Sequence, residues 1–296
     1  MRNNKKQEKY KNKNIESIPN IIVELFREAV ITLPEDVKRA LIESIEKEEN
    51  ENSRNTLKAI VENLNIAEEK SIPMCQDTGV PVIFLKVGKN IDSSEINEII
   101  DKIKEGVIKA TEEVPLRPNV VNPFTRENLK TNTGLGAPFI NIEFDEDLNR
   151  EIEITIFPKG AGSENMSALK MLTPAEGIKG IKKFILETVV KSGGKPCPPI
   201  LLGIGIGGTA DLSLKLAKKA LLRKVGERHP EERISNLERE LLEDINKLGI
   251  GAMGLGGNIT VLDVFIEYMG CHTASLPVGI CIQCWANRWA RRTLRI

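Results

Sequence analysis

Residues 193–209 read GGKPCPPILLGIGIGGT, in which a cysteine between prolines and an apolar stretch lie between two pairs of glycines. The first glycine pair is typical of a helix end. That helix has a strong start at residues 173–176, Thr-Pro-Ala-Glu, where a cap, a first-turn proline and a capping-box glutamate coincide. Ile200–Ile206 predicts a buried strand, and another helix is expected from Thr209. The run therefore predicts helix, cysteine turn, strand and helix in succession.

The interleaving of helices and strands continues in both directions. Apolar residues at helical spacing predict three helices around residues 21–29, 37–45 and 57–64. Further on, the sequence predicts a strand at Val80–Val87, a helix opened by a capping box of Asp92 and Glu95, an antiparallel hairpin of residues 140–144 with 152–156, and a short terminal helix. The fold class is α+β: a helical N-terminal part followed by mixed or antiparallel sheets packed with helices.

Composition disfavours nucleic-acid-binding, membrane-bound and secreted proteins. Lys and Arg number 42, equal to Asp and Glu, and aromatic residues are only 4%, which disfavours nucleic-acid or anionic-membrane partners. No apolar run approaches the roughly 20 residues that cross a bilayer, and no secretory signal is present. Five cysteines, an odd number, favour reduced thiols in the cytoplasm. We expect a disordered basic tail at residues 1–17 and one domain over residues 18–296.

Three cysteines lie in unusual local contexts. Cys75 lies in Met-Cys-Gln-Asp-Thr-Gly (74–79), Cys197 in the run quoted above, and Cys284 in Gln-Cys-Trp-Ala (283–286). Proline, glycine and small polar residues around them set turns, which a cysteine serving only as a core residue does not need. Three thiolates from three turns suit a cubane iron–sulfur cluster with one unligated iron, a Lewis acid for chemistry.

Other interpretations of the cysteines stay open at this point. The pair Cys281 and Cys284, with Cys271 and His272 nearby, could bind zinc, although adjacent side chains on a strand point to opposite faces. The same Cys-x-x-Cys could be a redox pair at a strand-to-helix junction. For Cys271 and Cys281 alone, we expect inert core cysteines.

Glycine motifs give weaker signals. Residues 203–208, Gly-Ile-Gly-Ile-Gly-Gly, match a dinucleotide fingerprint, but no acidic residue follows at the expected distance. The turns at 207–209 and 159–165 could instead be anion-binding nests or plain structural caps. Four basic residues near the end of the chain could bind an anion, although a solvated helix face or a subunit contact is preferred: Arg288, Arg291, Arg292 and Arg295.

Two further side chains are candidates for chemistry. Asp77 lies two residues after Cys75, and a carboxylate beside a cluster suits proton transfer. His272 is one of two histidines and lies near Cys284 in the sequence, so a ligand-contacting role is preferred to a core role. His229 precedes a proline in a charged stretch, and this context indicates that it lies on the surface.

These residues also carry a family resemblance. Motifs at 74–79, 116–120 (Leu-Arg-Pro-Asn-Val), 159–167, 196–199, 207–209 and 272–286 resemble, in consistent order, the α part of the iron–sulfur hydro-lyases. That family comprises class I fumarases and L-tartrate dehydratases, some of them split into α and β subunits. The chain ends where an α subunit would, so the resemblance implies a separate β subunit and a heteromer, with two copies of each chain as one arrangement.

The resemblance also implies roles for single residues. Cys75, Cys197 and Cys284 would hold a [4Fe–4S] cluster, while Gln76, Arg117 and His272 would bind carboxylate or hydroxyl groups of a small dicarboxylate. Asp77, with His272, would serve in acid–base catalysis. Cys281 departs from the asparagine usual at its position. The expected reaction is reversible hydration of fumarate to (S)-malate in the tricarboxylic acid cycle; the alternatives are L(+)-tartrate dehydration and, more distantly, a non-catalytic zinc-binding module.

Overall fold

The structure, a computed structural model, describes residues 14–296. The chain divides into two compact units: unit 1 takes in the residues up to Leu33, Ile66–Gly160 and Arg288–Ile296, and unit 2 takes in Pro34–Asn65 and Ala161–Asn287. Most of the predicted basic tail lies outside the described residues, but residues 14–16 are helical and Ile15 is buried. The assignment of residues 18–296 to one domain stays a prediction.

The described elements confirm the α+β class. In chain order they are α1 Ile18–Ile31, α2 Glu35–Lys47, α3 Glu51–Lys70, β1 Val80–Gly88, α4 Ser93–Glu113, β2 Phe139–Asp145, β3 Glu151–Lys159, α5 Ala161–Glu164, β4 Ala168–Leu172, α6 Gly177–Ser192, β5 Ile200–Gly208, α7 Ala210–Ala220, α8 Glu232–Asn246, β6 Val261–Cys271, β7 Leu276–Gln283 and β8 Ala290–Arg295. Within residues 14–296, no helix has both the length and the apolar character needed to cross a membrane.

Unit 1 is built on a mixed sheet with the strand order β2-β1-β3-β8. Helices α1 and α4 pack on one another, and the apolar core lies between them and the sheet. Strand β1 is almost wholly buried and central, as its continuous apolar sequence predicts. The capping box of Asp92 and Glu95 at the start of α4 is confirmed by hydrogen bonds in both directions, at 2.9 and 3.1 Å.

The predicted hairpin is wrong. Strands β2 and β3 flank β1 on opposite sides, β2 parallel to it and β3 antiparallel, with Phe84 opposite Asn141 on one side and Thr155 on the other. Alternation of apolar residues identifies a strand and its buried face but does not identify the neighbouring strand.

The predicted terminal helix is also wrong. Residues Ala290–Arg295 form β8, an edge strand paired antiparallel with β3. The buried Ala290 and half-buried Leu294 lie on one face of the strand, and the exposed Arg291 and Arg295 lie on the other. The expected solvated helix face therefore does not exist, and Arg288, just before the strand, is buried.

Unit 2 is built on a second mixed sheet with the order β4-β7-β5-β6. Strand β5 pairs parallel with β6 and antiparallel with β7, and α7 packs on β5 and β7. Gly203 and Gly205 of β5 face α7: a Cβ atom on either would lie 2.0 Å from a main-chain oxygen of that helix. Close helix packing therefore accounts for these two glycines of the dinucleotide-like motif.

Candidate active site

Cys75 lies in the loop that joins α3 to β1, in unit 1. The loop is fixed on both sides of the cysteine. The Met74 N–H donates to the Val30 carbonyl at 2.9 Å, and the Gly79 N–H donates to Asp77 Oδ1 at 3.0 Å. Gly79 has φ +84°, and a Cβ there would lie 2.7 Å from the Lys159 main-chain nitrogen. Cys75 itself is half-buried, so a thiol is held at a defined position without being sealed in the core.

Arg117 is held beside this loop. Its N–H donates to Thr78 Oγ1 at 2.9 Å, while its side chain is exposed. The Asn119 amide donates to Asp77 Oδ1 at 3.3 Å and to the Gly79 carbonyl at 3.1 Å. Unit 1 therefore brings together four residues of the predicted site: Cys75, Gln76, Asp77 and Arg117.

Cys197 has an unusual backbone conformation. Its φ is +56°, in the left-handed region that costs a residue with a Cβ of the order of 1 kcal/mol. The turn is fixed by a bond from the Cys197 N–H to the Gly194 carbonyl at 3.1 Å, and by a bond from the Met253 N–H to the Pro198 carbonyl at 2.8 Å. A half-buried cysteine where glycine would be relaxed is a position at which the thiol itself is useful.

Cys197 and Cys284 lie at the same end of the sheet of unit 2. Strands β5 and β7 are antiparallel, with Leu201 opposite Gln283, so the start of β5 lies beside the end of β7. The Trp285 N–H donates to the Cys197 carbonyl at 3.3 Å and joins the two cysteine turns directly. Both cysteines are half-buried. Two of the three predicted thiol ligands are thus brought together within one unit.

The two remaining cysteines have other surroundings. Cys281 is buried in β7, opposite Gly203, with its sulfur 3.7 Å from the Leu214 carbonyl, which confirms a core cysteine. Cys271 is exposed at the end of β6, where its thiol lies 3.2 Å from the Ser275 carbonyl. The prediction of a core position is therefore wrong for Cys271.

His272 is exposed in the turn between β6 and β7. Its Nδ1 accepts a hydrogen bond from the Ala274 N–H at 3.1 Å, so the neutral ring carries its proton on Nε2. This turn precedes β7, whereas Cys284 follows β7, and an eight-residue strand spans roughly 23 Å. Within its own chain, His272 is not brought to Cys197 and Cys284.

This separation decides against the zinc interpretation. Cys271 and His272 lie at one end of β7 and the Cys281–Cys284 pair lies toward the other. Over residues 14–296, no three His, Cys, Asp or Glu side chains are grouped as ligands of a single metal ion. The three thiolates of a cubane cluster bind three different irons and do not need that arrangement. Three half-buried thiols in fixed turns are soft donors of the kind an iron–sulfur cluster takes.

The redox interpretation fails on secondary structure. No helix follows the Cys-x-x-Cys pair: residues 284–289 are irregular and lead into β8. Cys281 is buried in the strand, whereas the attacking thiol of such a pair is accessible.

Sequence reasoning missed the burial of one prominent side chain. Arg288 is buried next to the Cys75 loop, and its Nη2 donates to the main-chain oxygen of Asp77. The signal available in the sequence was its place four residues after Cys284, but its neighbourhood of arginines indicated an exposed face instead.

Comparison with known proteins places the chain in a family. The family model described as fumarate hydratase (Fumerase) matches residues 20–293. A relative from Methanocaldococcus jannaschii, named "Putative L(+)-tartrate dehydratase subunit alpha", is 73% identical over 279 residues, covering 94% of this chain and 98% of the relative. L(+)-tartrate dehydratase subunit alpha of Escherichia coli UTI89 is 34% identical over 264 residues, covering 89% and 86%. The protein of the same name in strain K12 is 34% identical over 256 residues, covering 86% and 84%. The chain belongs to the fumarate hydratase (Fumerase) family and is a hydro-lyase.

Proposed function

We propose, starting from membership of the fumarate hydratase family, that this chain is the α subunit of an iron–sulfur L(+)-tartrate dehydratase. The observation that carries the substrate is the name shared by the relatives, one of which is similar over nearly the whole of both chains. This reverses the order of the two substrates expected from the sequence, in which fumarate came first. Hydration of fumarate to (S)-malate is the second candidate, favoured by the description of the family model.

The proposed cluster ligands are Cys75, Cys197 and Cys284. The bond between the Cys197 and Cys284 turns and the soft donor set support this assignment. When bound, the [4Fe–4S] cluster supplies an iron with an open position, a Lewis acid for the hydroxyl that leaves as water.

The side chains around Cys75 are proposed to bind and orient the dicarboxylate. Arg117 has a fixed backbone and an exposed guanidinium, which suits bidentate binding of a carboxylate. Gln76 is exposed on the same loop and offers both a donor and an acceptor for a substrate hydroxyl.

Asp77 is proposed to carry a proton in the reaction. Dehydration removes a proton from one carbon and a hydroxyl from its neighbour, and tartrate then gives an enol that becomes an oxo acid. Asp77 Oδ1 accepts two hydrogen bonds, which fix the plane of the carboxyl group. Its Oδ2 faces Gly160. A carboxyl group held in this way can exchange a proton at Oδ2 with a bound hydroxyl.

His272 stays a proposed substrate ligand and proton carrier, donating through Nε2. Because it lies at the far end of β7 from Cys284, we place it with a substrate only in an assembly of several chains. Such an assembly would contain a β subunit, with two copies of each chain as one arrangement. The names of the relatives, which are called subunits, support the β partner. A cytoplasmic location is also proposed.

The experiment is anaerobic co-purification of this chain with its β partner, followed by assays on L(+)-tartrate, fumarate and (S)-malate. We expect the complex to turn over tartrate with the highest kcat/KM and the chain alone to be inactive. A complex that hydrates fumarate faster than it dehydrates tartrate supports the second candidate, and activity of the chain alone contradicts the proposed division into subunits.

A further inference from the structure

Arg288 is a buried cation whose hydrogen bonding is incomplete. The residue is 2% exposed, and its Nη2 donates to the main-chain oxygen of Asp77. Its Nε is buried and has no hydrogen-bond partner within residues 14–296. A guanidinium charge removed from water is costly unless an anion or further acceptors compensate it. Arg288 therefore has capacity at Nε for a further acceptor.

Gly160 lies against both this guanidinium and the side chain of Asp77. A Cβ atom on Gly160 would lie 3.2 Å from Asp77 Oδ2 and 3.7 Å from Arg288 Nη2, so a side chain there would crowd the carboxyl group. The φ of Gly160 is outside the left-handed region, so the backbone conformation does not require glycine here. The lack of a side chain instead lets the carboxyl group of Asp77 and the guanidinium of Arg288 both approach the Gly160 backbone, all within unit 1.

We propose that Arg288 binds one carboxylate of the substrate beside Asp77 and Gly160. The inference rests on the proposed function, since it assigns a ligand of that same site. The planar N–H edge of arginine matches a carboxylate in shape and charge. The bond from Nη2 to the Asp77 oxygen fixes the guanidinium, so binding requires little further ordering.

The proposal gives Arg117 and Arg288, which both belong to unit 1, different tasks. Arg117 is exposed and binds one carboxylate of the dicarboxylate, whereas Arg288 is buried and binds the other next to the proton carrier Asp77. A charged hydrogen bond to a buried arginine also positions the substrate, because displacement of a reacting group by a fraction of an ångström lowers the rate. Arg288 is thus assigned to substrate specificity.

The test uses the complex of this chain with its β partner, purified anaerobically, with the variants Arg288→Lys and Arg288→Gln. We expect KM for L(+)-tartrate to rise on the order of a hundredfold in Arg288→Gln and less in Arg288→Lys, with iron and sulfide content unchanged. The matched control is Arg292→Gln, an exposed arginine of β8 beside Glu24 and Glu28, which we expect to leave KM unchanged.

A second variant, Gly160→Ala, keeps the proposal testable if Arg288→Gln does not fold. Its added methyl group would lie 3.2 Å from Asp77 Oδ2 and 3.7 Å from Arg288 Nη2 and would crowd a carboxylate bound beside them, so we expect a raised KM with normal cluster content. Unchanged KM in both Arg288→Lys and Gly160→Ala would overturn the proposal, and so would loss of iron and sulfide in Arg288→Lys, which would make Arg288 a counter-charge of the cluster. A wild-type complex with no activity on tartrate or fumarate would instead contradict the proposed function. In that case, protection of the wild-type complex, and not of Arg288→Gln, against thermal unfolding by L(+)-tartrate still measures the carboxylate site.

Discussion

Strand β7 has a cysteine turn near each end, and the two turns differ in almost every physical respect. At the end that carries Cys284, the thiol is half-buried and the next residue donates a hydrogen bond to the Cys197 carbonyl. At the other end, Cys271 and His272 are exposed and their hydrogen bonds stay within their own turn. The comparison shows that the proposed ligand Cys284 differs from Cys271 in having a second cysteine turn held against its own. We refer to these as the Cys284 end and the Cys271 end.

The largest expected difference between the two ends is in activity. Cys197→Ser and Cys284→Ser should each lower the activity of the complex with its partner by at least about a thousandfold, because the thiolate ligands are lost. Cys271→Ser should leave most of the activity, and the buried Cys281→Ser is a control for general disturbance of β7. If Cys271→Ser is as inactive as Cys284→Ser, the two ends do not differ in function.

The next largest effect is expected on kcat when Asp77 is replaced, compared with replacement of Asp211 at the Cys271 end. Asp77→Asn should lower kcat roughly 10²- to 10⁴-fold with the cluster retained, since a proton carrier is lost while the shape is kept. The matched control is Asp211→Asn: Asp211 is exposed, follows Gly207-Gly208-Thr209, and its pKa is lowered by a hydrogen bond from Thr209. Equal losses of kcat in both variants would contradict an acid–base role that is special to Asp77.

A smaller effect, on the free energy of unfolding, should distinguish the turn that carries Cys197 from the turn that carries Cys284. Cys197 has positive φ and Cys284 does not, so Cys197→Gly should be more stable than Cys197→Ala by about 1 kcal/mol. For Cys284, glycine should be no more stable than alanine, since it only adds freedom to the unfolded chain. Urea unfolding of the four metal-free variants measures both differences. Equal values at the two positions would show that the Cys197 backbone holds no strain.

The smallest effect concerns ordinary surface electrostatics near the Cys271 end. A hydrogen bond from Tyr268 to Glu231 raises the pKa of the tyrosine and lowers the pKa of the glutamate. Glu231→Gln should therefore bring the pKa of Tyr268 back toward 10, its ordinary value, in an ultraviolet titration made in a Tyr10→Phe background.

The sign of the pH effect follows from the direction of this shift. Because the pKa of Tyr268 is raised in the folded protein, its contribution to stability is complete below the ordinary tyrosine pKa and is lost as pH rises through the raised value. Tyr268 is exposed and Glu231 is only half-buried, so the change should be small. An unchanged titration in Glu231→Gln would show that the two side chains do not interact in solution.

Local features of the structure could be predicted from the sequence because a few neighbouring residues determine them. The capping boxes at Asp92 and Thr173 form as predicted, and β5 begins at Ile200. Pairing of strands is not local, which is why the hairpin of β2 with β3 and the terminal helix were wrong.

The same limit applies to the candidate site. The contexts of Cys75, Cys197 and Cys284 indicated ligand turns, and the structure joins two of these through the Trp285 bond. Gly203 and Gly205 matched part of a dinucleotide-binding motif. The structure shows instead that glycine is needed at these positions because α7 packs closely on β5, a contact that the sequence pattern does not predict. The burial of Arg288 could not be predicted, because it depends on contacts with residues far away in the sequence, such as Asp77.

The most direct test of the central claim is analysis of metal and acid-labile sulfide in the anaerobically purified complex. If Cys75, Cys197 and Cys284 hold a cubane cluster, wild type should contain about four irons and four sulfides per chain, and Cys284→Ser should lose them while Cys271→Ser keeps them. Zinc without sulfide in the wild-type protein, or a full complement of iron and sulfide in Cys284→Ser, would contradict the account.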